Sequence, residues 1–149
     1  TIGRLDADSE GLILLTNDGD FCQKVAHPRH GMLKTYRVSL ARRVAPESLK
    51  TLTNGLRDDG EWLQAKRAKL LAANNTRSEV ELVLAEGKNR EIRRMFKALG
   101  HRVLRLQRIA VGPVKLGELP RGKWRVLSQA EIASCLRFCG KAQESHRRN

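Results

Sequence analysis

Acidic side chains are in short supply: the 149 residues carry 16 Asp or Glu against 29 Lys or Arg, a formal net charge of +13. Such an imbalance points to a polyanionic partner, RNA or DNA before a membrane surface. Long apolar runs are missing too, which excludes a spanning helix, and no amphipathic anchor stands out. Cysteine is scarce. Cys22, Cys135 and Cys139 are an odd number without a framework spacing, and no signal peptide precedes them, so reduced thiols and a cytoplasmic location are expected. Cys135 and Cys139 stand one helical turn apart and could share a metal with His146, but further ligands of suitable spacing are not evident, and no metal is expected. With no repeats and no internal linker, the length suits one domain with its own core.

Three of the acids, Asp6, Asp8 and Glu10, stand together near the start, in a polar loop that runs into the apolar stretch Leu12 to Leu15. Gly11 and the turn signal Asn17-Asp18-Gly19 bound that stretch, which fits a strand buried on both faces. A loop fixed to such a scaffold can position a catalytic group, and Asp6 is the candidate. Asp6-x-Asp8-x-Glu10-Gly11 also begins like a calcium loop. Its twelfth position is Asn17 rather than Glu, however, and Leu14 and Leu15 fill places that should be polar. A solvated loop without function is the plain alternative.

The cations are concentrated elsewhere: Gly87 to Arg125 holds twelve Lys or Arg and two acids. Within it, Asn89 can cap a helix from Arg90 to Leu99, stopped by Gly100. Ile92, Met95, Phe96 and Leu99 share one face; Arg90, Arg93, Arg94 and Lys97 share the other, which contains no acid. A merely solvated face would favour some i,i+4 Glu, so phosphate contact is the better reading. Arg102, Arg105 and Arg108 extend the basic region along a strand with Leu104 and Leu106.

Elsewhere the pattern predicts a helix from Asp18 to about His27, and a strand from Thr35 to Leu40 with Tyr36 starting its apolar side. His27 to His30 reads as a basic loop rather than a metal or acid-base pair. A helix from Pro46 to Asn54 closes at Gly55, and Asp58-Asp59-Gly60 is a turn. A hairpin follows, with strands near Lys66 to Ala72 and Ser78 to Leu84. After a Gly/Pro-punctuated loop from Gly112 to Gly122, Trp124 is expected in the core. Ser128-x-x-Glu131 is a capping box before a last helix that buries Ile132, Cys135, Leu136 and Cys139. The domain is read as residues 1–140, with a polar tail over 141–149 that frays.

The run Gly3-Arg4-Leu5-Asp6-x-Asp8-Ser9-Glu10-Gly11-Leu12-x-Leu14-Leu15-Thr16-Asn17-Asp18-Gly19 closely resembles the signature of pseudouridine synthases of the RsuA/RluB/RluE/RluF type. Further matches stand at His27-Pro28, Lys34-Thr35-Tyr36, Glu86 to Met95, Gly100-His101 and Leu119-Pro120-x-Gly122-x-Trp124-Arg125. The resemblance implies an α+β fold, a mixed and largely antiparallel sheet flanked by helices, acting on ribosomal RNA without cofactor or metal. It makes Asp6 the catalytic carboxylate, Tyr36 the ring against the target uracil, and Arg93 the cation that keeps Asp6 ionised. Arg4 would order the loop or bind backbone phosphate. Lys88, Asn89, Arg90, Arg94, Lys97 and Arg105 would contact RNA. The partner is then ribosomal RNA or a pre-ribosomal particle, large-subunit RNA being favoured. Two departures stand out: Gln64 replaces a proline, and the chain starts at the motif, so earlier catalytic-domain strands are expected to be missing. A non-catalytic basic RNA-binding module is the competing reading and DNA binding the third; charge alone does not choose between them.

Overall fold

A computed structural model describes the backbone of residues 1–27, 31–88 and 90–148, and the side chains among them as far as 139. The elements run β1 (Glu10–Gly11), α1 (Gly19–Ala26), β2 (Lys34–Ala41), α2 (Pro46–Asn54), β3 (Leu56–Asp58), β4 (Glu61–Leu63), β5 (Arg67–Ala73), β6 (Arg77–Leu84), α3 (Glu91–Ala98), β7 (Val103–Val111), β8 (Val114–Lys115) and α4 (Gln129–Arg148). The main sheet has the order β1-β7-β2-β6-β5, with β8 on β7. Only β1 with β7 is parallel among the named pairs, so the α+β class and the largely antiparallel sheet are as expected.

Local chemistry explains most boundaries. Asp18 caps α1 by accepting from Phe21 N at 3.1 Å, and Pro46 opens α2 where a missing N–H costs nothing. Asn74 shapes the β5–β6 turn, its Oδ1 accepting from Thr76 N and Arg77 N at 2.9 Å each. At Asp59 and Gly60 both φ angles are positive, 51° and 76°, the two-residue turn of a tight hairpin, so the predicted turn joins two short strands, β3 and β4, that the sequence did not reveal. Ser128 and Glu131 form the capping box reciprocally: Ser128 N donates to Glu131 Oε1 at 2.9 Å and Glu131 N to Ser128 Oγ at 3.1 Å.

Two apolar clusters hold the layers. Val38, Leu40, Val80, Leu82 and Leu84 of the sheet pack with Leu49 and Leu52 of α2 and Ile92, Met95 and Phe96 of α3. Ile2, Leu12, Leu14, Val25, Val111, Cys135 and Cys139 form the second cluster, under α1 and α4. Burying each large side chain contributes about 1.5–3 kcal/mol.

Several expectations need correction. Leu12 to Leu15 is not a strand buried on both faces: only Glu10 and Gly11 pair with β7, and Leu14 bridges Ile2. Leu12 and Leu14 turn into the core while Ile13 and Leu15 face outward, Leu15 being 71% exposed. Trp124 is 81% exposed, not core, and with Ile13, Leu15 and Val126 it lines an apolar groove of about 1020 Å³. On α4, Cys135 and Cys139 are buried but Leu136 is exposed. The helix α4 extends to Arg148, through the helix formers Ala142, Gln143 and Glu144. Pro28, Arg29, His30 and Asn89 lie outside the described residues, as does the His146 side chain.

Candidate active site

The Asp6 loop is closed at its base by backbone pairing. Ile2 N donates to Leu14 O at 2.8 Å, Leu12 N to Arg108 O at 2.9 Å, and inside the loop Ser9 N donates to Asp6 O at 2.9 Å. Gly11 is needed where the loop meets β7: its φ is 112°, and a Cβ there would collide with the Arg108 backbone. The loop thus projects from the sheet with Asp6 exposed at its tip.

Asp6 faces a cleft of about 450 Å³, a size usual for small-molecule sites, that it lines with Arg4, Tyr36, Glu91, Arg93 and Leu106. Tyr36 comes from β2 and packs partly against the main core. Burial pushes its phenol above the ordinary range, against the opposing pull of the Arg108 guanidinium. Glu91 is 4% exposed and accepts from Lys88 N at 3.2 Å; burial pushes its carboxyl up. Lys34, two residues before Tyr36 on β2 and half-buried, has its ammonium pushed down, by burial first and then by Arg108.

Arg93 does reach the Asp6 loop, but it is Asp8 that holds it. Arg93 Nη2 donates to Asp8 O at 2.6 Å, and Nε lies 3.2 Å from Asp8 Oδ2 at an angle too poor for a hydrogen bond. Arg90 adds a bidentate pair to the same carboxylate at 3.0 and 2.8 Å, which holds Asp8 below its usual range. Arg90 does this from a left-handed backbone, φ 49°, at the N-cap of α3, a conformation costing on the order of 1–3 kcal/mol for a non-glycine residue. The helix therefore begins at Glu91, one residue later than predicted.

The basic face is accordingly less free than its sequence implied. Arg94 pairs with Asp58 at 2.8 Å and Glu61 at 2.6 Å, tying α3 to the β3–β4 hairpin. Arg105 pairs with Glu10, whose carboxyl it holds low, and Lys88 pairs with Glu86 at 3.1 Å and donates to Trp62 O. With Asp8 and Glu10 thus occupied, the calcium-loop alternative loses two of its ligands. Lys97 is exposed and unpaired among the described residues, at an open groove of about 720 Å³ shared with Arg90, Arg93 and Arg94. Arg108 is no part of the surface: it is 2% exposed. The sequence signal for that was its place on the period-two face of Leu106, and Asp8 was likewise overlooked, although it stands in the loop motif. Cys139 Sγ donates to Lys24 O at 3.4 Å, and burial raises both α4 thiols; no group of three or more His, Cys, Asp or Glu that could hold a metal occurs among the described residues.

Fold and site define an α+β domain with a carboxylate-bearing cleft on a basic surface, an arrangement suited to a nucleic acid. The chain belongs to the RNA pseudouridylate synthase family, whose model matches residues 1–98. It is 42% identical over 135 residues to the ribosomal large subunit pseudouridine synthase B of Bacillus subtilis, covering 88% of this chain and 54% of that one. It is 38% identical over 133 residues to the ribosomal small subunit pseudouridine synthase A of Vibrio parahaemolyticus, covering 89% and 57%. A crystal structure of a pseudouridylate synthase superposes with a TM-score of 0.80 at 38% identity, covering 90% of this chain and 58% of the other. The chain thus spans little more than half the length of these relatives. No helix among the described residues is long and apolar enough to cross a membrane.

Proposed function

We propose that the protein isomerises a uridine of ribosomal RNA to pseudouridine, with Asp6 as the catalytic carboxylate. The observation that carries this reading is the meeting of Asp6, Tyr36 and Arg93, from a loop, a strand and a helix, around one cleft. Uracil is joined to ribose through nitrogen in uridine and through carbon 5 in pseudouridine. The glycosidic bond must therefore break, the base turn, and a new bond form. Asp6 either attacks the anomeric carbon or removes a ribose proton; both roles use the ionised carboxylate. The target nucleotide leaves its stack to reach Asp6, with Tyr36 against the ring and Arg4 and Lys97 at the backbone. The isomerisation leaves the redox state of the base unchanged and calls for no cofactor.

Relatives named for both ribosomal subunits support ribosomal RNA as the substrate class. Large-subunit RNA is the first choice, and a cytoplasmic location goes with it. Incubation with unmodified RNA of each subunit, followed by chemical mapping of pseudouridine, tests the reading. One new site in large-subunit RNA is expected; binding without modification of either RNA would favour the non-catalytic module.

A further inference from the structure

Arg108 is a buried cation with no carboxylate partner among the described residues, and the chemistry proposed above assigns it no step. Its Nε donates to Leu12 O at 2.8 Å and its Nη1 to Arg4 O at 3.2 Å. Those two carbonyls stand on either side of Asp6, one where the chain enters the loop and one where it leaves. The Arg108 backbone adds a third tie, accepting from Leu12 N at 2.9 Å, with Gly11 as its register partner in β1. Arg108 Nη2 and Arg93 Nε are the two buried side-chain atoms without a hydrogen-bond partner among the described residues, and both belong to arginines that grip this loop.

Taking a guanidinium out of water without a counter-ion is costly, and an apolar side chain could fill the same volume without that cost. Groups retained at such a cost tend to be in functional sites. We propose that Arg108 is a positioning residue for the Asp6 reaction: its forked guanidinium spans both ends of the loop and fixes where the Asp6 carboxylate stands. A planar fork aims its N–H groups at two carbonyls in fixed directions and at a fixed spacing. A lysine keeps the charge but is a point donor on a flexible stem, so it can hold one end while the other moves. Misplacement of a reacting carboxylate by an ångström lowers the chemical rate without altering how the RNA backbone is held.

The inference rests on the function proposed above, and the experiment separates the two. Arg108→Met and Arg108→Lys are compared with the unaltered chain by amide hydrogen exchange and by kcat and KM for pseudouridine formation. Arg108→Met should speed exchange of residues 4–12 at least tenfold while β2 and β6 amides stay unchanged, and should lower kcat at least tenfold with KM within twofold. Arg108→Lys should show the same pattern to a smaller degree. If Arg108→Met fails to fold, the lysine variant alone decides, by faster exchange confined to residues 4–12 together with a lower kcat at KM within twofold. Unaltered loop exchange, faster exchange with unchanged kcat, a loss confined to KM, or full recovery by lysine would each overturn the proposal. If the unaltered chain makes no pseudouridine, the functional reading fails, and the exchange data still decide whether Arg108 holds the loop.

Discussion

Arg93 is held by Asp8 rather than by Asp6: its Nη2 donates to the Asp8 carbonyl at 2.6 Å and its Nε lies 3.2 Å from the Asp8 carboxylate. The cation proposed to serve Asp6, the proposed catalytic carboxylate, is thus moored two residues along the same loop. Asp8→Asn should therefore lower kcat, by up to about a hundredfold if the reacting groups shift by an ångström. RNA affinity should hold or tighten, because Arg90 and Arg93 lose their counter-ion. Stability should change little, because the pair is exposed and screened by solvent. Single-turnover kinetics beside filter binding would check it, and an unchanged rate would remove Asp8 from the account.

Lys97 and Arg94 sit on one helix face but have different partners. Lys97→Gln should weaken RNA binding on many sequences and reduce the slope of log affinity against log salt by about 1. Arg94→Gln should change that slope less, since its guanidinium is committed to Asp58 and Glu61. It should instead loosen the β3–β4 hairpin. Equal slopes for the two variants would show that the ion pairs open in the complex.

The α4 capping box titrates. Arg125, with the Ser128 backbone, pulls the Glu131 carboxyl down to about 2 from an ordinary 4.5. A carboxyl depressed in the folded state binds more protons when unfolded, so its stabilisation is complete above about 4.5 and fades as pH falls towards 2. Solvent screening limits it to about 1 kcal/mol. Glu131→Gln should melt below the unaltered protein at neutral pH, and the gap should close near pH 2. A gap independent of pH would assign the effect to packing.

The groove of Ile13, Leu15, Trp124 and Val126 leaves apolar surface in water. Surface of this kind favours association. Light scattering should show mass rising with concentration, and Leu15→Ser with Trp124→Ser should suppress the rise. A monomer at all concentrations would show that the groove is tolerated alone.

Much of the fold was legible because its signals are local. Asp18, Pro46, Asn74 and Ser128 terminate elements through their own side chains or rings, and the helix face of Ile92, Met95 and Phe96 declares its buried side. Burial that depends on distant partners was not legible. Leu15 and Trp124 look like core residues until the structure leaves one side of the first loop uncovered, and Arg108 looks like surface until Gly11 and Leu12 close over it. In the candidate site, Asp6 and Tyr36 could be chosen from motifs, but the preference of Arg93 for Asp8 depends on side-chain geometry that no spacing encodes.

Asp6→Asn tests the central claim most directly. The amide keeps the size of the side chain and removes the charge that attack on ribose or removal of its proton requires. Because Asp6 makes no ion pair among the described residues, fold and RNA affinity should be retained. Chemical mapping of ribosomal RNA incubated with each protein should show pseudouridine with the unaltered protein and none with the variant, at equal RNA occupancy. Modification by the variant at the unaltered rate would contradict the assignment of Asp6 as the catalytic carboxylate.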